Sequence, residues 1–105
     1  MRFIETSVFT AQVKELLKDD EYRALQSALL LRPEQGALIK GSGGLRKVRW
    51  GSKGSGKRGG IRVIYFWDQG ANSFYMLFAY PKTAQDDLTT QQLRILRRTV
   101  LKEFK

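Results

Sequence analysis

The segment IRVIYFW, residues 61–67, runs through the turn-forming DQGANS into FYMLFAY, residues 74–80. β-branched and aromatic residues dominate both runs, as in strands. FYMLFAY offers water no polar face, and a strand of that kind belongs in the interior of a sheet. Two such strands joined by a tight turn set the centre of an antiparallel sheet. Pro81 ends the second one, because it has no N–H to continue the ladder.

The flanking segments predict the other elements. RFIET, residues 2–6, reads as a short first strand. Thr6 or Ser7 then caps a helix whose apolar positions Phe9, Val13, Leu16 and Leu17 recur at helical spacing. Asp19 or Asp20 caps a second helix carrying Tyr22, Leu25, Ala28 and Leu29 on one stripe, and Pro33 stops it near Arg32. Residues 35–44, with four glycines, read as loop. LRKVRW, residues 45–50, alternates as a strand with Leu45, Lys47 and Arg49 on one face and Arg46, Val48 and Trp50 on the other. Thr89 and Gln92 form a capping box before a helix whose stripe is Leu93, Leu96, Val100 and Phe104. The order is β-α-α-β-β-β-α, an α+β fold: an antiparallel-rich sheet with an N-terminal αα-hairpin and a C-terminal helix. The last three strands form a meander, and the first pairs within the same sheet. With 105 residues and no linker or internal repeat, residues 1–105 are expected to form one domain.

Charge is the feature that this frame does not explain. The chain carries 19 basic and 10 acidic residues, and none of the acids lies between Gln35 and Trp67. Scattered charge serves solubility, whereas charge concentrated in this way points to a polyanionic partner. The chain has no histidine and no cysteine, so a His-based triad, an imidazole acid–base pair, a thiolate metal site and a disulfide framework are excluded. The acids show no metal-ligand spacing: Asp86 and Asp87 are adjacent in a turn, and Asp19 and Asp20 look like caps. GSGGLRK and GKRGG match no nucleotide-cradling pattern, so no cofactor and no metal are expected. MRFIETSVFT does not read as a signal peptide, and no apolar run approaches the about 20 residues of a membrane span. A cytoplasmic protein without membrane contact is the expectation.

Within the acid-free stretch, Lys47 and Arg49 are two apart in a strand and leave the same face. Arg62 comes from the next strand. If the two strands pair, the three cations converge, and such a patch suits a phosphodiester: arginine supplies a donor fork and lysine a compact charge. Crowding by like charge lowers a lysine pKa, which would let Lys47 take a proton from a ribose 2′-OH. The bland alternative is a solvated sheet face that binds nothing; the absence of acids favours phosphate. Lys53, Lys57 and Arg58, in the glycine-rich connection, read equally well as a loop gripping RNA or as an ordinary soluble turn. Lys82 follows the last strand and can join the patch. Tyr80 can stack on a base or donate its hydroxyl, although a core aromatic is the commoner use. The cations of the last helix read mainly as a solvated face.

LRKVRWGSKGSGKRGGIRVIYFW, followed by Tyr80-Pro81-Lys82, resembles the RelE/HigB family of bacterial toxins, particularly its HigB-type members. The likeness extends over nearly the whole chain, and the two basic strands at this spacing weigh more than either alone. It implies the RelE-like fold and a metal-independent, ribosome-dependent mRNA endonuclease. Such an enzyme enters the ribosomal A site of the 30S subunit and uses the message's own 2′-OH as nucleophile, leaving a 2′,3′-cyclic phosphate and a 5′-OH. It also implies a cognate, HigA-like antitoxin. Lys47 and Arg49 match the family's basic pair on the second strand, Arg62 the arginine that holds the scissile phosphate, and Lys82 a basic position after the fourth strand. Familiar members carry a tyrosine near the C-terminus. Residues 88–105 hold none, which leaves Tyr80 as the substitute. The roles of base and acid among these residues stay open. A non-catalytic RNA- or DNA-binding module or an autorepressor subunit would need the same basic patch.

Overall fold

Thr6 joins the first strand, β1 (Arg2–Glu5), to the first helix, α1 (Ser7–Leu16). Its hydroxyl accepts the Phe9 N–H at 3.0 Å and so satisfies one of the helix's unpaired donors. The same hydroxyl donates to the Leu77 carbonyl at 3.0 Å, which fastens the cap to the sheet. The computed structural model describes residues 1–51 and 60–103. Expectations for Lys53, Lys57, Arg58 and Phe104 fall outside these residues.

The second helix, α2 (Asp19–Leu31), begins differently from the expectation. Asp19 and Asp20 are not its caps; they lie in its first turn, where carboxylates favour the positive end of the helix dipole. Lys18 is the cap position, and its N–H is taken by the Glu21 carboxylate at 2.8 Å. Residues 35–44 are not loop throughout. Ala37–Leu38 form a two-residue edge strand, β2, against the next strand, too short to show any alternation. Tyr65 fastens this corner: its hydroxyl donates to the Pro33 carbonyl at 2.7 Å and accepts the Gly36 N–H at 3.0 Å. A Cβ on Gly36 would meet the Tyr65 ring at 2.8 Å, so only glycine fits.

Three longer strands follow, β3 (Leu45–Trp50), β4 (Ile61–Asp68) and β5 (Ser73–Pro81), and then helix α3 (Thr90–Glu103). The sheet order is β1-β5-β4-β3-β2, with β1 parallel to β5 and the other neighbours antiparallel. The fold is therefore the expected α+β arrangement with one additional strand. The capping box before α3 is present: the Thr89 N–H donates to Gln92 Oε1 at 2.9 Å, and the Gln92 N–H to Thr89 Oγ1 at 3.0 Å.

Helices cover both faces of the sheet. On one, Phe9, Val13, Leu17, Leu25 and Leu29 of the αα-hairpin region pack with Val48, Val63, Tyr65, Phe74 and Met76. On the other, Leu96 and Val100 of α3 pack with Leu45, Ile64, Phe66, Tyr75 and Leu77. Burial from both sides is why β4 and β5 are apolar on both faces.

One irregularity decides which core receives Tyr80. Tyr65 pairs with Met76 but Ile64 pairs with Phe78, which leaves Leu77 as an extra residue in β5. Such a bulge reverses the alternation beyond it. Phe74 and Met76 face the αα-hairpin, so an unbroken strand would send Tyr80 there too. Tyr80 instead packs in the α3-side core with Tyr75 and Leu77.

Candidate active site

β3 sets Lys47 and Arg49 on the α3 face of the sheet, in step with buried Leu45, while Val48 and Trp50 turn to the hairpin side. The β3–β4 register pairs Arg49 with Arg62, and the β4–β5 register pairs Arg62 with Tyr80. Residues directly opposite in paired strands share a face. Arg49, Arg62 and Tyr80 thus form one row across three strands, with Lys47 in the next row, opposite Ile64.

Two backbone contacts close this end of the sheet. The Lys82 N–H donates to the Gly60 carbonyl at 3.1 Å. A Cβ on Gly60 would lie 2.6 Å from the Trp50 carbonyl oxygen, so the last residue of GKRGG needs to be glycine to return this close to β3. The contacts bring the half-buried Lys82 to the end of the sheet where the row lies.

Burial differs sharply along the row. Arg49 is exposed, whereas Arg62 is 3% and Tyr80 4% exposed. Among the described residues, the Arg62 guanidinium makes one long hydrogen bond, from Nη1 to its neighbour's carbonyl at Ile61, at 3.4 Å. A cation withdrawn from water in this way is costly unless an anion comes to it. The Tyr80 ring lies against Phe78 with centroids 5.9 Å apart. Its hydroxyl points to the Asp86 carbonyl at 3.4 Å. The ring is thus placed as a core aromatic, and the hydroxyl is the part of Tyr80 aimed at the segment that closes the site. Burial, and then the carboxylate of Asp87, push the Tyr80 phenol up against the opposing pull of Arg62, so it stays a proton donor at neutral pH.

The residue missing from the sequence-based expectation is Asp87. Lys47 Nζ donates to Asp87 Oδ1 in an ion pair. The Lys47 hydrogen bond and then its charge, with a smaller part from Arg62, hold the Asp87 carboxyl below the usual carboxylate range. The acid-free stretch is therefore not acid-free in space. The crowd of like charges expected around Lys47 is interrupted by a carboxylate from 40 positions away. No local pattern signals this, because the segment between β5 and α3 delivers Asp87. Gln85 fixes that segment, donating from Nε2 to Gln92 Oε1 at 2.8 Å and to the Asp87 carbonyl at 2.9 Å. No group of three or more His, Cys, Asp or Glu side chains able to hold a metal occurs among the described residues. No helix among them is long and apolar enough to cross a membrane.

This arrangement offers a held phosphate two guanidinium groups, an ammonium and a buried phenol on one face. A family model described as the RelE toxin of the RelE/RelB toxin-antitoxin system matches residues 1–104.

Proposed function

The chain belongs to the RelE toxin family, and from that premise we propose that it is a ribosome-dependent mRNA endonuclease cutting in the A site. Its membership makes it the toxin of a toxin-antitoxin system, with an antitoxin as partner. We assign it to the HigB-type subgroup, with a HigA-like antitoxin.

The observation that carries the proposal is the Arg49–Arg62–Tyr80 row with Lys47 on the same face. In the proposed reaction the ribose 2′-oxygen attacks the adjacent phosphorus. A P–O bond forms, the bond to the 5′-oxygen breaks, and the proton lost at 2′-OH is matched by one gained at the 5′-oxygen. The protein has to hold the nucleophile in line and offset charge on the pentavalent phosphorus. Arg62, fixed by burial, contacts a non-bridging oxygen, and exposed Arg49 contacts the backbone beside it. Lys47, as the neutral amine, receives the 2′-OH proton, and Lys82 or the protonated Tyr80 phenol serves the leaving oxygen. Lys53, Lys57 and Arg58 grip the strand through phosphate contacts.

Purified ribosomes carrying a defined message provide the test. The wild-type protein is expected to cut within the A-site codon, and the cut should vanish when the A site is already occupied or the message is free of ribosomes. Intact message in the presence of folded protein would favour the non-catalytic binder or a toxin that has lost its activity.

A further inference from the structure

Asp87 has no part in the proposed reaction, yet its carboxylate sits on a cation that the reaction uses. Its carboxylate holds Lys47 and lies in the field of Arg62. Carboxylate and phosphate oxygens make the same demand on an ammonium or a guanidinium, namely short charge-assisted hydrogen bonds. We propose that Asp87 is an internal substitute for the substrate phosphate: it offsets the charge of Lys47 when no RNA is bound, and the incoming phosphodiester displaces it.

Three features favour exchange over a permanent pair. The Asp87 side chain is 76% exposed, so releasing it into water uncovers no apolar surface. Lys47 is 26% exposed and reachable from the same side. The Asp87 backbone is held by Gln85, so the carboxylate leaves by rotation about Cα–Cβ without remodelling the sheet. Among the described residues, the groups facing it are Lys47, Arg62, the Tyr80 phenol and its neighbour Asp86. A phosphate arriving beside Asp87 would also repel it. The pair therefore works as a gate that an anion must open to reach Lys47, at a modest cost for every ligand that does so.

The meaning of this exchange rests on the nuclease assignment, but its test does not. Inorganic phosphate and a 2′-O-methyl RNA oligonucleotide, which offers no 2′-hydroxyl to attack, are titrated into purified wild-type, Asp87→Asn, Lys47→Gln and doubly substituted proteins. Exchange predicts binding about two- to fivefold tighter for Asp87→Asn at low salt, the range an exposed pair commands, and no such gain when Lys47 is already glutamine. In the wild type, the Asp87 carboxyl carbon observed by NMR should move on phosphate saturation to the titration behaviour of an unpaired aspartate. Unchanged or weaker binding by Asp87→Asn, an Asp87 signal that ignores phosphate, or no phosphate binding by any variant would each overturn the proposal. An inactive wild-type protein on ribosomes would count against the nuclease assignment and leave the titration to decide the exchange on its own.

Discussion

Arg62 and Tyr80 stand opposite each other across β4 and β5, on the face that α3 covers, because Leu77 is an extra residue in β5. Without that bulge the tyrosine would belong to the opposite core and the arginine would have an aliphatic neighbour. The pair joins a buried cation to a buried phenol at one end of the sheet, and the proposed chemistry depends on both.

Arg62→Lys keeps the charge and most of the length but loses the planar donor fork. Cleavage on ribosomes should fall by about 10²- to 10³-fold, the usual effect of removing a preorganised transition-state donor. The thermal midpoint should move little. Activity within tenfold of wild type would remove Arg62 from the phosphate.

Tyr80→Phe separates the ring from the hydroxyl. The hydroxyl's bond to Asp86 is long at 3.4 Å, so losing it should cost under about 1 kcal/mol of stability. Cleavage should nonetheless drop at least tenfold if the phenol serves the leaving oxygen. Tyr80→Ala should cost about 3–5 kcal/mol, as an aromatic deleted from a core. Loss of stability in Ala with full activity in Phe would make Tyr80 a packing residue alone.

Tyr65→Phe tests the corner that docks β2 and the end of α2. It deprives the Pro33 carbonyl and the Gly36 N–H of their partner, at distances of 2.7 and 3.0 Å. A cost of about 1–3 kcal/mol is expected in denaturant unfolding, with an unchanged denaturant slope. A difference below 0.5 kcal/mol, roughly the size of an ordinary surface change, would show the corner is held by packing.

The Lys47–Asp87 pair has a defined pH signature. The folded-state pKa of Asp87 is depressed, so the pair contributes fully above the ordinary carboxylate value of about 3.9 and is lost as pH falls through the depressed value. The stability difference between wild type and Asp87→Asn should be flat from pH 8 down to about pH 5 and should close only in more acid solution. A difference that already closes between pH 7 and 6 would mean that another group controls it.

How much of this the sequence revealed depended on the range of the signal. Lys47 and Arg49 could be placed on one face because the period of a strand is local, and Thr89 and Gln92 announced their capping box within four residues. The fold class and the meander followed from runs such as FYMLFAY, whose two apolar faces require cover on both sides. Nothing in FYMLFAY marks Leu77 as a bulge, since every residue there suits either core. The side taken by Tyr80 was therefore not legible. Ala37–Leu38 is too short to carry a period. In the sequence Asp87 reads only as one of two adjacent turn acids, because its partner lies 40 residues upstream and only the folded chain brings them together. The depth of Arg62 was hidden for the same reason: an arginine in a strand reads as surface until its neighbours are known.

The central claim is that the site presents the message's own 2′-hydroxyl to a phosphate held by Arg62. Its most direct test is a ribosome-bound message with one 2′-deoxy nucleotide on the 5′ side of the scissile bond, compared with the all-ribose message. Cutting at that bond should disappear in the deoxy message, and the ribose message should yield a 2′,3′-cyclic phosphate and a 5′-hydroxyl. Equal cutting of both messages at that bond would contradict it.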